Sequence, residues 1–198
     1  MKKPFFIFIV LLAAVGIAFV IYYFLSGEKY SEGETLVPGA EEQKEETLLV
    51  KDDFAVLLPE GWRETVGFQG VSAMAIYVDE EITDPAAKKI NFRTYYSIGY
   101  DVLQDRSMED YVEYIKENLR QLLVNVNFVE EQTSEMNGQH VYTIEMEVNQ
   151  QGVNFKVLTF LIKGAGDDIW LLSFNTTESY WDQYQDLFQR IAASFEAR

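Results

Sequence analysis

Residues 139–174 read QHVYTIEMEVNQQGVNFKVLTFLIKGAGDDIWLLSF, and the period of this stretch decides the fold. Between 139 and 148, Tyr142, Ile144, Met146 and Val148 alternate with Val141, Thr143, Glu145 and Glu147. A period of two marks a strand with one buried face. Residues 149–152 break the run, 153–162 return, Gly164-Ala165-Gly166-Asp167 turn again, and 168–174 follow. Links this short cannot carry a parallel crossover, so the segments form an antiparallel meander. The second and third segments are apolar on both faces in places (Phe155, Val157, Leu158, Phe160, Leu161, Ile162; Ile169, Trp170, Leu171, Leu172). They are expected to be central and covered on both sides.

Upstream, Asn137-Gly138 is a strong two-residue hairpin signal and joins a run at 128–133 to the meander. Before that the period changes to a helical one. Ser107 is an N-cap hydroxyl followed by Glu109 and Asp110 in the first turn. Met108, Tyr111, Val112, Ile115, Leu119, Leu122 and Leu123 then fall on one helix face, with Glu113, Lys116, Glu117 and Arg120 on the other. Burying five of those aliphatic side chains contributes on the order of 10 kcal/mol gross, so the helix needs a sheet to lie on. Residues 90–100 alternate again, with Ile90, Phe92, Thr94, Tyr96, Ile98 and Tyr100 sharing a face, and are expected to be one strand. Residues 79–89, which contain Pro85, read as a polar loop, and 71–78 as a further strand. Near the start, 47–50 and 54–58 read as strand, turn, strand, and Pro59-Glu60-Gly61-Trp62 ends the second. Downstream, Trp181, Tyr184, Phe188, Ile191 and Phe195 form a narrow apolar stripe on a helix expected over 178–195. Strands, helix, meander, helix predict an α+β domain over 47–198: an antiparallel sheet of about six to seven strands with helices on its faces.

Residues 4–25, PFFIFIVLLAAVGIAFVIYYFL, carry no charge and no amide side chain. A helix of that length spans roughly 33 Å against a hydrocarbon core of about 30 Å, so it is expected to be a transmembrane anchor. Lys2 and Lys3 in the 1–3 flank place the N-terminus in the cytoplasm and everything after the span outside. A cleaved signal peptide has a shorter apolar core, of about 7–15 residues. Leu25-Ser26-Gly27 resembles the run before a lipidated cysteine, but the chain has no cysteine to carry a lipid. Residues 26–46, rich in Gly, Ser and Glu, are expected to be an acidic flexible tether.

The absence of cysteine also excludes disulfides, thiolate metal sites and cysteine nucleophiles. From Thr47 onward 12 Lys+Arg face 25 Asp+Glu, so the domain repels phosphate backbones and nucleic acid is not an expected partner.

The element Phe54-x-Val56-x-x-Pro59-x-Gly61-Trp62, the Ser-led helix at Ser107, the Asn137-Gly138 turn into the meander and the ending Ala193-Ser194-Phe195 resemble the PsbP-like family. Its photosynthetic members are extrinsic proteins of photosystem II. The resemblance covers about 47–195 and implies an antiparallel sheet with helices on both sides. It implies fold more than function, since many bacterial members are exported or anchored without a known reaction.

Residues that carry chemistry are sparse. His140 is the only histidine and sits beside the Asn-Gly turn, with no paired nucleophile and orienter, so no catalytic residue is assigned. A zinc site lacks ligands. Asp79, Glu80, Glu81 and Asp84 lie in one acidic loop that a calcium ion would accept, though without EF-hand spacing, and Asp167 and Asp168 follow a Gly-rich turn. Asn175-Thr176-Thr177 fits a glycosylation sequon. The expected function is a membrane-anchored, extracytoplasmic binding or assembly module without catalysis or cofactor, acting on a protein partner. The alternatives are a carboxylate-based hydrolase and a calcium-dependent binding domain.

Overall fold

The computed structural model describes residues 45–198 except 68, 69 and 124. The expected span over 4–25, its flank 1–3, and all of the 26–46 tether but Glu45 and Glu46 lie outside these residues. Among the described residues no helix is long and apolar enough to cross a membrane. In chain order the elements are β1 (Thr47–Val50), β2 (Phe54–Leu58), β3 (Trp62–Thr65), β4 (Val71–Tyr77), α1 (Pro85–Lys89), β5 (Tyr95–Val102), α2 (Met108–Leu122), β6 (Val126–Met136), β7 (Gln139–Gln150), β8 (Val153–Lys163), β9 (Asp168–Thr177), a 3-10 turn at Glu178–Tyr180, α3 (Trp181–Ala193) and β10 (Glu196–Ala197).

The meander is present as read, and it is longer. Strands β6 to β9 are consecutive antiparallel neighbours, with Tyr142 opposite Leu161 and Leu161 opposite Leu171. Asn137 (φ 53°) and Gly138 (φ 76°) make the turn between β6 and β7, and both angles are positive as a type I′ turn requires. The full sheet has seven strands in the order β3-β4-β5-β9-β8-β7-β6. A second sheet of three, β1-β2-β10, stands apart from it. The molecule is therefore a mixed α+β fold with two antiparallel sheets and few helices.

Alternation along the central strands feeds two cores. Ile144, Met146, Phe155, Val157, Leu161 and Leu171 point to one side, where Met108, Tyr111, Val112, Ile115 and Leu119 of α2 cover them. Val141, Leu158, Phe160, Leu172 and Phe174 point to the other. There they meet Trp181, Tyr184, Phe188 and Ile191 of α3, and Phe54, Val56 and Leu58 of β2. The Phe174 and Phe188 rings stack at 5.0 Å.

Two expectations are corrected. Residues 90–94 are not strand: β5 begins at Tyr95. Ile90 caps α1, and it and Phe92 pack into the core under α2, with Phe92 4.9 Å from the Phe155 ring, whereas Tyr96 enters the other core, so their alternation reflects burial by different partners. Residues 79–89 are not all loop, because Asp84 accepts from the Ala86 and Ala87 amides at 2.7 and 2.8 Å and starts α1 with Pro85 at its first turn. Strand β3 follows the Pro-x-Gly-Trp turn. Gly61 is held at φ +75°, and a Cβ there would lie 2.7 Å from the Tyr77 ring, against which Trp62 stacks at 5.9 Å.

Candidate functional site

The four acids of the 79–84 loop are not gathered on one point. Asp79 and Glu81 are exposed, Asp84 caps α1, and Glu80 turns inward to 7 % exposure. Both Glu80 oxygens accept from Thr94, the amide at 2.5 Å and the hydroxyl at 2.6 Å. Thr94 in turn meets Thr176 at 2.8 Å, and Tyr184 of α3 bonds the same carboxylate. Burial raises the Glu80 pKa, against the pull of those bonds and of Arg93. Among the described residues no group of three or more His, Asp or Glu is placed to hold a metal ion. Asp168 accepts from the Tyr100 hydroxyl at 2.5 Å, which pushes that phenol up to about 12. His140 is exposed at the hairpin, opposite Glu135 in register. Asn175 of the sequon is fully buried in β9, so its side chain is closed to a glycan.

A concavity among the described residues lies elsewhere. A groove of about 380 Å³ runs between α3 and the end of the sheet formed by β6, β7 and β8. Its floor is apolar, from Leu158, Phe160, Trp181 and Met136. Its walls are polar: Glu130, Gln132 and Ser134 from β6, Thr143 and Glu145 from β7, Gln185 and Gln189 from α3. The pattern follows from two periods. Every second residue of β6 and β7 faces this side, while Gln185 and Gln189 are four apart and share one flank of α3. Lys156 neighbours two lining residues, with its Nζ 2.6 Å from Glu145, 3.6 Å from Glu147 and 5.1 Å over the Trp181 ring. Burial lowers the Lys156 pKa, but the two glutamates outweigh it and the net shift is upward, so the ammonium stays charged. Seven of the twelve lining residues are polar, so the groove offers a row of hydrogen-bonding groups around a small apolar floor.

None of the groove residues was read from the sequence as part of a site; Leu158, Phe160 and Trp181 were read as core, and Thr143 and Glu145 as one face of a strand. The only available signal was the Gln185/Gln189 spacing, which reads equally as a solvated helix face. The lining comes from four elements that only the fold brings together.

Several solved structures resemble this fold. The cyanobacterial PsbP protein CyanoP of Synechocystis sp. PCC 6803 superimposes with TM-score 0.56 at 17% identity, covering 85% of this chain and 100% of that one. LpqN of Mycobacterium tuberculosis, described as involved in cell envelope biogenesis, gives 0.55 at 11%, covering 77% and 90%. A protein of unknown function from Pseudomonas aeruginosa gives 0.54 at 15%, covering 78% and 98%. At these identities the likeness is one of fold. No curated protein matches the sequence. The PsbP family itself matches residues 50–197, three quarters of the 198-residue chain and both of its cores, and the chain belongs to the PsbP family.

Proposed function

We propose that this protein is a membrane-tethered, extracytoplasmic binding or assembly module without catalytic activity, and that the groove between α3 and strands β6–β8 holds its partner. The observation that carries the reading is the groove's composition, an apolar floor ringed by carboxamides, hydroxyls and carboxylates. It supplies recognition groups with no nucleophile and base paired to do chemistry. Glu80, whose pKa burial holds above the ordinary value, is bonded to Thr94 and Tyr184 outside the groove, so it is not placed as a general acid there. Within the groove Glu145 is tied to Lys156. The span expected over 4–25 and the lysines before it support tethering with the domain outside. The envelope role given for LpqN is compatible with that place.

The test is a photo-crosslinking residue at Gln185 in the full-length chain within native membranes. A discrete, stoichiometric adduct is expected there and not from the same residue at Glu109, on the far side of α2. Equal labelling at both positions, or none at Gln185, would overturn the reading. Protease applied to the outer face of sealed vesicles is expected to degrade the domain.

A further inference from the structure

The sheet ends on a strand that is long, polar and paired on one edge only. β6 has 11 residues, and its inner edge is in register with β7 from Val126 opposite Val148 to Met136 opposite Gln139. Its outer edge has no strand beside it among the described residues. A free edge is a row of backbone donors and acceptors ready to take another strand, and folds commonly blunt it by shortening or bulging it. Here the irregularity sits early, between Phe128 and Glu130, which leaves 130–136 regular. The opposite edge of the sheet, β3, has four residues.

The side chains of this edge carry one sign of charge. Glu130, Gln132, Ser134 and Met136 line the groove. Glu131 and Glu135 lie on the other face, and residues 130–135 are all exposed. Lys116 answers Glu131, at 2.7 Å, but is shared with Glu113 at 2.8 Å. Glu130 and Glu135 have no ion-pair partner among the described residues.

We propose that β6 is the docking edge for an extended basic segment of a partner protein, which pairs with it as an added strand and lays alternate side chains over the groove against α3. The inference rests on the groove being the binding site. Main-chain bonds to the edge supply affinity, and the groove and carboxylates supply selection. A strand presents every second residue to each side, so lysines or arginines of the segment meet Glu130 on the groove side and Glu131 and Glu135 on the other. A second copy of this chain would bring a second edge of the same charge. Antiparallel self-pairing centred on Thr133 sets Glu131 against Glu135 of the other copy. Centring it between Gln132 and Thr133 sets Glu130 against Glu135, and like charges directly opposite repel. The chain's own residues 28–46 are also acidic, with seven Glu against two Lys.

The experiment uses the full-length chain in detergent and a fluorescent nonapeptide, Lys-Lys-Thr-Thr-Lys-Lys-Thr-Thr-Lys, which as a strand carries lysines on both faces. Binding is read by anisotropy and by backbone hydrogen exchange. The expected result is saturable binding that weakens with salt and slows exchange at 130–136 but not in β3. The double substitution Glu130→Lys, Glu135→Lys, at exposed positions that leave the thermal midpoint in place, is expected to weaken it about tenfold. Methylating every peptide nitrogen keeps the charge but leaves neither edge of the peptide a backbone donor, and a loss of at least about tenfold is expected. Equal affinity for the methylated peptide, or binding without slowed exchange at 130–136, overturns the proposal. So does a dimer of this chain already protected there. If the Gln185 crosslink forms while the peptide fails, the binding-module reading stands and the edge assignment falls.

Discussion

Glu80 connects four parts of the molecule through one carboxylate: its own loop, Thr94 leading into β5, Thr176 in β9 behind it, and Tyr184 on α3. Burial raises its pKa above the ordinary 4.5, so the folded state holds its proton more tightly than the unfolded chain does. The Glu80 contribution to stability is therefore complete below pH 4.5 and is lost as pH rises through the raised value. Glu80→Gln removes that titration and keeps the shape. The midpoint of wild type relative to Glu80→Gln is expected to fall as pH rises from the ordinary carboxylate range towards neutrality. Thermal melts of both proteins across that range check it, and parallel curves would show that Glu80 does not titrate within it. Glu131 has the opposite sign. Burial raises its pKa, but the bonds from Lys116 and Tyr142 outweigh it and the net shift is downward, so its contribution is present above the ordinary value and fades as pH falls through the lowered one.

At the scale of elements, α2 and α3 are fixed by different devices, and only one of them is written in the local sequence. Ser107 caps α2 by accepting from the Asp110 amide at 3.1 Å. Ser107→Ala is expected to cost about 1 kcal/mol in urea unfolding. The end of α3 is held across the chain: the Leu57 amide donates to the Ser194 hydroxyl at 2.8 Å, and that hydroxyl donates to the Ile191 carbonyl at 2.6 Å. Ser194→Ala leaves an amide of β2 without its partner and is expected to cost about 1–3 kcal/mol, measured the same way. An unchanged midpoint would mean that water replaces the hydroxyl. The contrast shows what was legible. The start of α2, the Asn137-Gly138 turn and strands β7 to β9 follow from period and from residues adjacent in sequence, so they were read correctly. Strands β1 and β2 were also placed correctly, but the third strand of their sheet is β10, a two-residue segment at 196–197 near the far end of the chain. At 90–94 the alternation of Ile90, Phe92 and Thr94 imitated a strand, because the period records burial and not what does the burying. The groove was illegible for the same reason. Gln132 and Gln189 are ordinary surface residues until β6 and α3 are laid side by side.

At the scale of the whole molecule, the two cores share one sheet, and that sharing has a measurable consequence. β8 sends Leu161 into the core under α2 and Leu158 into the core under α3, while β9 does the same with Leu171 and Leu172. Neither core can lose a central strand without removing the floor of the other. Trp62, Trp170 and Trp181, the three tryptophans of the chain, all belong to the core under α3. Their emission therefore reports directly on that core alone, whereas far-ultraviolet circular dichroism reports on the whole backbone. Leu161 is fully buried on the opposite side of the sheet from every tryptophan. If the sheet couples the cores, Leu161→Ala lowers the urea midpoint seen by tryptophan emission as far as the one seen by circular dichroism. The expected loss is about 2–5 kcal/mol, with the slope unchanged. Leu158→Ala shifts both probes together in the same way. If the cores unfold independently, Leu161→Ala moves the circular dichroism curve and leaves the tryptophan curve in place. Coupling also bears on recognition. β6 takes its place from β7, and β7 from the shared strands, so an edge offered to a partner is only as well positioned as the joint between the two cores. The same Leu161→Ala protein, still folded below its midpoint, is therefore expected to show faster hydrogen exchange along 130–136 than wild type. Unchanged exchange there would mean that β6 is held by its hairpin with β7 and not by the sheet as a whole.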